Sequence, residues 1–131
     1  MEKHDLPGDW ARLSTRHMDI LPDGSVHVGC QWQGDLAECP PLLLRFARGQ
    51  GMRPVPMGAD VEARFAGYVG SVATNKAEGL VGLTSPHGDV AVVVEAATGR
   101  VLRVTGQEDV CGIAPQRGDF VTSSGLGRFG A

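Results

Sequence analysis

The chain has 131 residues, 42% of them hydrophobic and 21% charged, and a formal net charge of −3. This length suits a single domain, and the scattered basic residues of a mildly acidic chain exclude an electrostatic footprint for nucleic acid or an anionic membrane. The longest apolar run, Val90 to Val94, falls far short of the ~18 residues that predict a membrane-spanning helix.

The first predicted elements are two strands, residues 14–21 and 25–32, which form a hairpin. The turn between them contains Pro22-Asp23-Gly24. Proline presets φ at one position of such a turn, and glycine accepts the positive φ at another. The second strand has a period of two, which places Cys30 on one face and His27 on the other. We expect His27 to lie on an exposed face or on a face between two sheets.

The next part of the chain predicts weaker elements. A polar loop over 33–41 leads to a third strand at 42–46. Residues 53–57 form at best an edge strand, because their prolines cannot donate to a β-ladder. Residues 60–66 predict one or two helical turns that connect this unit to the next.

A complete four-strand unit follows between Tyr68 and Gly106. Its strands are short aliphatic or β-branched runs, each followed by a Gly, Pro, Asn or Asp turn signal. They cover 70–74, 80–85, 90–94 and 100–104.

The last part of the chain predicts the first two strands of a third unit. They cover 110–114 and 119–123, with a turn at 115–118, and the sequence stops before two more strands can form. The Gly-rich stretch 125–130 fits the spacing G-x-G-x-x-G, but a dinucleotide fingerprint needs a following helix. We therefore interpret it as a glycine-rich strand end.

The three units amount to an internal repeat. Their opening strands begin near His17, Ser71 and Cys111. The sequence spacing between successive opening strands is similar to the ~40–50 residues of a propeller blade. The first spacing is longer than the second because of the loops at Gln33 and Gly58. The sequence therefore predicts one all-β domain over 1–131, built of antiparallel four-stranded meanders, as a partial β-propeller of about two and a half blades. Its blade-like units cover about 14–57, 68–106 and 109–127.

In a propeller, the first strand of each blade lines the central channel, and the ends of the second strands lie near its mouth. This places five polar residues in a candidate ligand-binding site at the channel mouth: His17, Gln31, Ser71, Ser85 and Cys111. Imidazole and thiolate are ligands for zinc, copper or iron, so His17 and Cys111 are candidate metal ligands. The alternative is that these residues satisfy backbone groups or line a wet channel.

Other residues that could carry chemistry have simpler interpretations. His87 lies in a turn, where surface exposure is expected, and its neighbours have the residue types of a catalytic triad without its geometry. Asp35, Glu38 and Cys39 could contact a cation, but a solvated loop is the simpler interpretation. The aromatic residues are expected to pack between units.

The three cysteines do not form a disulfide framework. Cys30 and Cys39 could pair in an oxidising compartment. Alternatively, a buried free cysteine acts as a small hydrophobic residue. The cofactor, if any, is unknown.

A set of short motifs in a fixed order resembles a known family. In order, the motifs are Arg16-His17-Met18, Gly29-Cys30-Gln31-Trp32-Gln33-Gly34-Asp35, Pro40-Pro41-Leu42, Tyr68-Val69-Gly70-Ser71-Val72-Ala73, Thr84-Ser85-Pro86, Ala97-Thr98-Gly99-Arg100 and Asp109-Val110-Cys111-Gly112-Ile113-Ala114-Pro115. The set resembles the bacterial family catalogued as domain of unknown function 1513. That resemblance implies a seven-bladed propeller of the quinoprotein or YVTN type, of which this chain matches the C-terminal third. It also implies an exported, periplasmic protein, although the polar first residues of this chain do not predict a signal sequence.

These observations favour a non-enzymatic binding or scaffold module of an exported propeller protein, with an unknown protein or small-molecule partner. One alternative is a metal-dependent or redox enzyme with a site at the channel mouth. Another is a truncated fragment without activity of its own. Because an unclosed array exposes an apolar face at each end, we also expect self-association.

Overall fold

The computed structural model describes residues 1–130 and is built almost entirely of strands. Its eleven strands form three antiparallel sheets of four, four and three strands, each a meander of consecutive strands. The all-β prediction, with antiparallel meanders, is confirmed. Within the described residues, no helix is long and apolar enough to cross a bilayer.

The first sheet contains the predicted hairpin and the two weaker strands. Its strands are β1 (Leu13–Ile20), β2 (Val26–Trp32), β3 (Leu43–Ala47) and β4 (Gly51–Pro54), in that spatial order. The β1–β2 turn has Gly24 at φ 84°, as the turn chemistry requires. β4 is an edge strand, as predicted, although it begins earlier and ends at Pro54.

A short helix, α1 (Ala59–Arg64), connects the first sheet to the second, as the sequence predicts. Its C-terminal end packs against the turn that precedes Val90. A Cβ atom on Gly88 would lie 1.6 Å from the carbonyl oxygen of Arg64, so only glycine fits there. The Ser85 hydroxyl donates to the carbonyl oxygen of Phe65 (2.8 Å) and accepts from the Gly88 amide (3.1 Å).

The second sheet is the complete unit predicted from the sequence. Its strands are β5 (Ser71–Asn75), β6 (Leu80–Ser85), β7 (Val90–Glu95) and β8 (Val101–Gly106). β5, β6 and β7 are largely buried, whereas the side chains of β8 are mostly exposed. This burial pattern follows from position, since the sheet is covered on both faces near β5 and β6 and is open at β8.

The third sheet corrects one prediction. It contains β9 (Val110–Gln116), β10 (Asp119–Ser124) and a third strand, β11 (Phe129–Gly130), where the sequence predicts only two strands. The Gly-rich stretch interpreted as a strand end forms the β10–β11 turn, with Gly127 at φ 77°. β11 pairs with β10 through Gly130–Thr122 and Phe129–Ser123.

The first and second sheets pack face to face through small and branched residues. A Cβ on Gly29 of β2 would lie 2.5 Å from Val69 and 2.7 Å from Val72, so the glycine lets the second sheet approach closely. His27 shares this face of β2 with Gly29, and only 1% of its surface is exposed. Of the two positions expected for His27, the structure therefore selects the face between the sheets.

The second and third sheets also approach closely at a glycine. A Cβ on Gly82 of β6 would lie 2.5 Å from Ile113 and 3.1 Å from Phe120. Those two side chains, with Ala73 and Val93, make a second small core. Phe120 is thus a packing aromatic, as are the buried Trp32 and Phe65 of the main core.

Candidate functional site

The first strands of the three sheets lie side by side. β1, β5 and β9 are each an edge strand of their sheet, and the backbones of neighbouring sheets approach most closely at their first and second strands. We call the edge formed by β1, β5 and β9 the first-strand edge. Three of the five residues predicted for a channel-mouth site are on it.

His17 is on β1 and is exposed. It pairs with Gly29 directly after a β-bulge in which Arg16 is the extra residue. Bulges bend a strand and redirect its side chains, and they are common near binding sites. The bulge therefore accounts for an imidazole that is exposed although its partner in β2 is covered by the second sheet.

Cys111 occupies a similar bulge in β9. Val110 pairs with Ser124 and Gly112 with Ser123, so Cys111 has no partner of its own in β10. Its side chain is exposed, and its thiol lies 3.2 Å from the carbonyl oxygen of Asp109. The structure thus presents a free thiol at the first-strand edge.

Ser71 and Gln31 are both half-buried. Ser71 begins β5 and pairs with Thr84, whose own hydroxyl donates to the carbonyl oxygen of Cys111 (2.7 Å). Gln31 is the penultimate residue of β2 and forms an isolated bridge with Tyr68. Ser71 therefore lies close in the fold to Cys111, while Gln31 is part of the connection between the first two sheets.

Ser85, the fifth predicted site residue, lies in the interior of the fold. It is completely buried, and its hydroxyl is engaged by Phe65 and Gly88 as described above. The hydroxyl holds the β6–β7 turn against α1, because a buried polar group needs a partner. Ser85 therefore has a structural role in this part of the fold.

Among residues 1–130, the structure brings together no group of three His, Cys, Asp or Glu side chains that could hold a metal ion. His17 and Cys111 belong to strands on opposite sides of β5. Asp35, a candidate cation contact, instead caps the short 3-10 helix Leu36–Glu38 by accepting from the Ala37 amide (2.9 Å). Cys30 and Cys39 are both free, the first buried and the second exposed.

Polar residues that the sequence analysis did not select join the sheets near the first-strand edge. Asp19 of β1 accepts from both the amide and the hydroxyl of Thr74 in β5, at 2.8 and 2.9 Å. Burial acts to raise the pKa of Asp19, but hydrogen bonds from Thr74 and the Ile20 amide outweigh it and lower that pKa. Asn75, which follows Thr74 in β5, donates to the carbonyl oxygens of Arg117 (2.8 Å) and Asp119 (3.0 Å). Adjacent residues of β5 therefore bond to the sheets on either side.

A charged pair also joins the second and third sheets. The Arg103 guanidinium donates to the Asp119 carboxylate through both of its terminal nitrogens. Nη1 donates to Oδ2 at 2.7 Å, and Nη2 donates to Oδ1. The hydrogen bond to Arg103 holds the pKa of Asp119 below its usual value, and the same bond raises the pKa of Arg103. Since both side chains are about half exposed, the pair contributes mainly to alignment of the sheets.

His27 is the most unusual polar residue of the fold. Neither of its ring nitrogens has a hydrogen-bond partner, although both are buried. It pairs in register with Asp19 on β1 and Arg45 on β3. Burial, and next the nearby Arg45, lower the pKa of His27 to about 4. The strand alternation could have suggested this burial, but only contact with the second sheet decides it.

Two concave surfaces lie away from the first-strand edge. One, of about 750 Å³, is between the N-terminal residues and the β3–β4 hairpin. A cleft of about 420 Å³ opens between the turns of the first and second sheets. Its charged lining residues are Asp23, Arg45, Lys76, Glu78 and Glu95.

Comparison with known proteins identifies a family but no individual relative. No curated protein and no solved structure matches the chain. A family model described as "Protein of unknown function (DUF1513)" matches residues 1–131. The three-sheet chain with its first-strand edge therefore belongs to the DUF1513 family.

Proposed function

We propose that the chain is a binding or scaffold module built as part of a β-propeller, and that it recognises its partner at the first-strand edge. The observation that carries this proposal is the face-to-face stacking of three meander sheets, in chain order, with β1, β5 and β9 together. In propellers the blades are repeated four-stranded meanders arranged around a channel. Sheets that approach most closely at their first strands fit that arrangement.

The chemistry of the edge supports binding. Asp19, Thr74 and Asn75 are engaged in bonds between sheets, and these bonds hold the edge in one geometry. Beside them, His17 and Cys111 remain exposed on bulged strands. A rigid edge that presents a few polar side chains is the usual basis of a recognition surface.

The proposal is tested by crosslinking from the two exposed thiols of the chain. Cys111 is on the first-strand edge, whereas Cys39 is in the loop after Leu36–Glu38 and serves as the matched control. The Cys39→Ser variant is labelled with a benzophenone maleimide on Cys111, and the Cys111→Ser variant on Cys39. Both are incubated with extract of the source cells and illuminated.

We expect one reproducible product from Cys111 that is absent from Cys39. The captured molecule is then purified, and its affinity for the unlabelled chain is measured by calorimetry with and without the His17→Ala change. Equal capture from both thiols, or an affinity that His17→Ala leaves unchanged, would contradict recognition at this edge.

The working compartment is proposed to be the periplasm, on the strength of the family resemblance alone. Fractionation of the source cells, followed by detection with an antibody against this chain, tests it. Recovery in the cytoplasmic fraction would rule the periplasm out.

A further inference from the structure

The stack of sheets has two outer faces, and both are partly apolar. The front face is the outer side of the first sheet. Ile20, Val26, Phe46 and Met52 form one row across its four strands, next to Met18 on β1. Met18 is 67% exposed, and an open depression of about 220 Å³ lies between it and Met52. The N-terminal segment lies along part of this face, with the His4 ring 4.7 Å from the ring of Phe46.

The back face is the outer side of the third sheet. Phe120 packs on the second sheet, so the alternation of β10 turns Val121 outward together with its partner Ala114. Ser123 shares this outer face and pairs with Phe129, which is 82% exposed. The back face therefore combines small residues near the first-strand edge with one exposed aromatic ring on β11.

The two interfaces inside the chain show how these faces match. In each, the earlier sheet offers a small residue and the later sheet a bulky one: Val72 packs on Gly29, and Ile113 packs on Gly82. The back face also offers small residues, Gly112 and Ala114, but these lie on the first strand, β9, beside Val121 on β10. The front face offers bulky residues, Met18 on its first strand and Phe46 on β3.

We infer that a second copy of this chain packs with its front face on the back face of the first, continuing the stack head to tail. The occupant is a second copy because the chain carries one outer face with small residues and one with bulky residues, the kind of pairing that its two internal interfaces show. Such a contact is heterologous and leaves one front face and one back face free, so association can extend beyond a dimer. The inference rests on the stacking within the chain and is independent of any partner at the first-strand edge.

The test blocks each face separately. Met18→Glu places a charge on the front face, and Phe129→Glu places one on the back face. Both residues are largely exposed, so neither change should unfold the chain, which is checked by circular dichroism. Leu102→Glu is the matched control, since Leu102 is an exposed apolar residue on β8 and on neither end face. Masses are measured by light scattering at up to about 1 mM, where even millimolar association is populated.

We expect the unmodified chain and Leu102→Glu to exceed the 13.8 kDa of one chain, with a mass that rises with concentration. Each blocked variant alone should be monomeric. An equimolar mixture of the two should give a species of twice the monomer mass, because one intact front face and one intact back face remain. A monomeric unmodified chain, a mixture that stays monomeric, or a single variant that still self-associates would each overturn the inference.

Discussion

The carboxylate of Asp19 accepts two hydrogen bonds from Thr74, one from the backbone amide at 2.8 Å and one from the hydroxyl at 2.9 Å. The two residues are 55 positions apart in sequence and belong to the first strands of different sheets. This contact joins the first two sheets close to the first-strand edge. Because the bonds are to an ionised acceptor, they are stronger than neutral ones.

Removing this carboxylate should weaken the contact between the first two sheets. We expect Asp19→Ala to lower the free energy of unfolding by about 1–2 kcal/mol, a modest value because the carboxylate is still partly solvent-exposed. Urea denaturation measures the change, with the exposed Glu108→Ala as control. A double-mutant cycle with Thr74→Val should reveal coupling; strict additivity would mean that the pair does not act together.

The buried His27 should make stability depend on pH. Its pKa is about 4 in the folded chain and 6.5 in the unfolded chain, so it stays neutral when folded. The stability that the neutral His27 allows is therefore fully present above pH 6.5. The free energy of unfolding then decreases as the pH falls from about 6.5 to about 4. We expect the free energy of unfolding to fall by about 2 kcal/mol over that pH range. This is less than the whole pKa shift would give, because solvent relaxes around the charged ring. Asp19, whose pKa is lowered from 3.8, adds a further loss only below this window.

Urea titrations at pH 7.5, 5.5 and 4.5 measure this dependence. His27→Gln removes the titrating group and should flatten the profile between these values. His87→Gln, at an exposed turn residue, is the matched control for the substitution itself. The same slope in His27→Gln as in the unmodified chain would assign the pH dependence to other groups.

Gly82 should be intolerant of even a small side chain. A Cβ there would lie 2.5 Å from the end of Ile113 and 3.1 Å from the Phe120 ring, so Gly82→Ala overpacks the second interface. We expect destabilisation of about 1–3 kcal/mol. Thermal unfolding tests this, with Gly8→Ala as a control because no atom lies within 4 Å of that position. Ile113→Val should partly rescue Gly82→Ala; no rescue would place the strain elsewhere.

The three cysteines should differ sharply in reactivity. Cys30 is completely buried, and burial raises its pKa to about 12, so its thiolate is scarce and inaccessible. Cys39 and Cys111 are exposed. We expect a thiol reagent at pH 8 to modify two cysteines in the folded chain and the third only after denaturation. Mass spectrometry identifies the sites, and rapid labelling of Cys30 would contradict the packing of β2.

Most strands and turns of this protein can be predicted from its sequence, because they depend on neighbouring residues. Aliphatic alternation predicts β2 and the strands of the second sheet, Pro22-Asp23-Gly24 predicts the first turn, and the helical turns before β5 are predicted as well. The short β11 was missed because two residues after a Gly-rich turn carry no periodicity. The ordered motifs of the chain also predicted its family.

The way in which the sheets meet depends on tertiary contacts. The burial of His27, the bonding of Asp19 to Thr74 and the engagement of Ser85 by Phe65 all depend on residues far away in sequence. Strand alternation assigns a residue to one of two faces, but it does not say whether that face meets water or another sheet. For that physical reason the exposed His17 and Cys111 and the buried His27 and Ser85 looked alike in the sequence and differ in the fold.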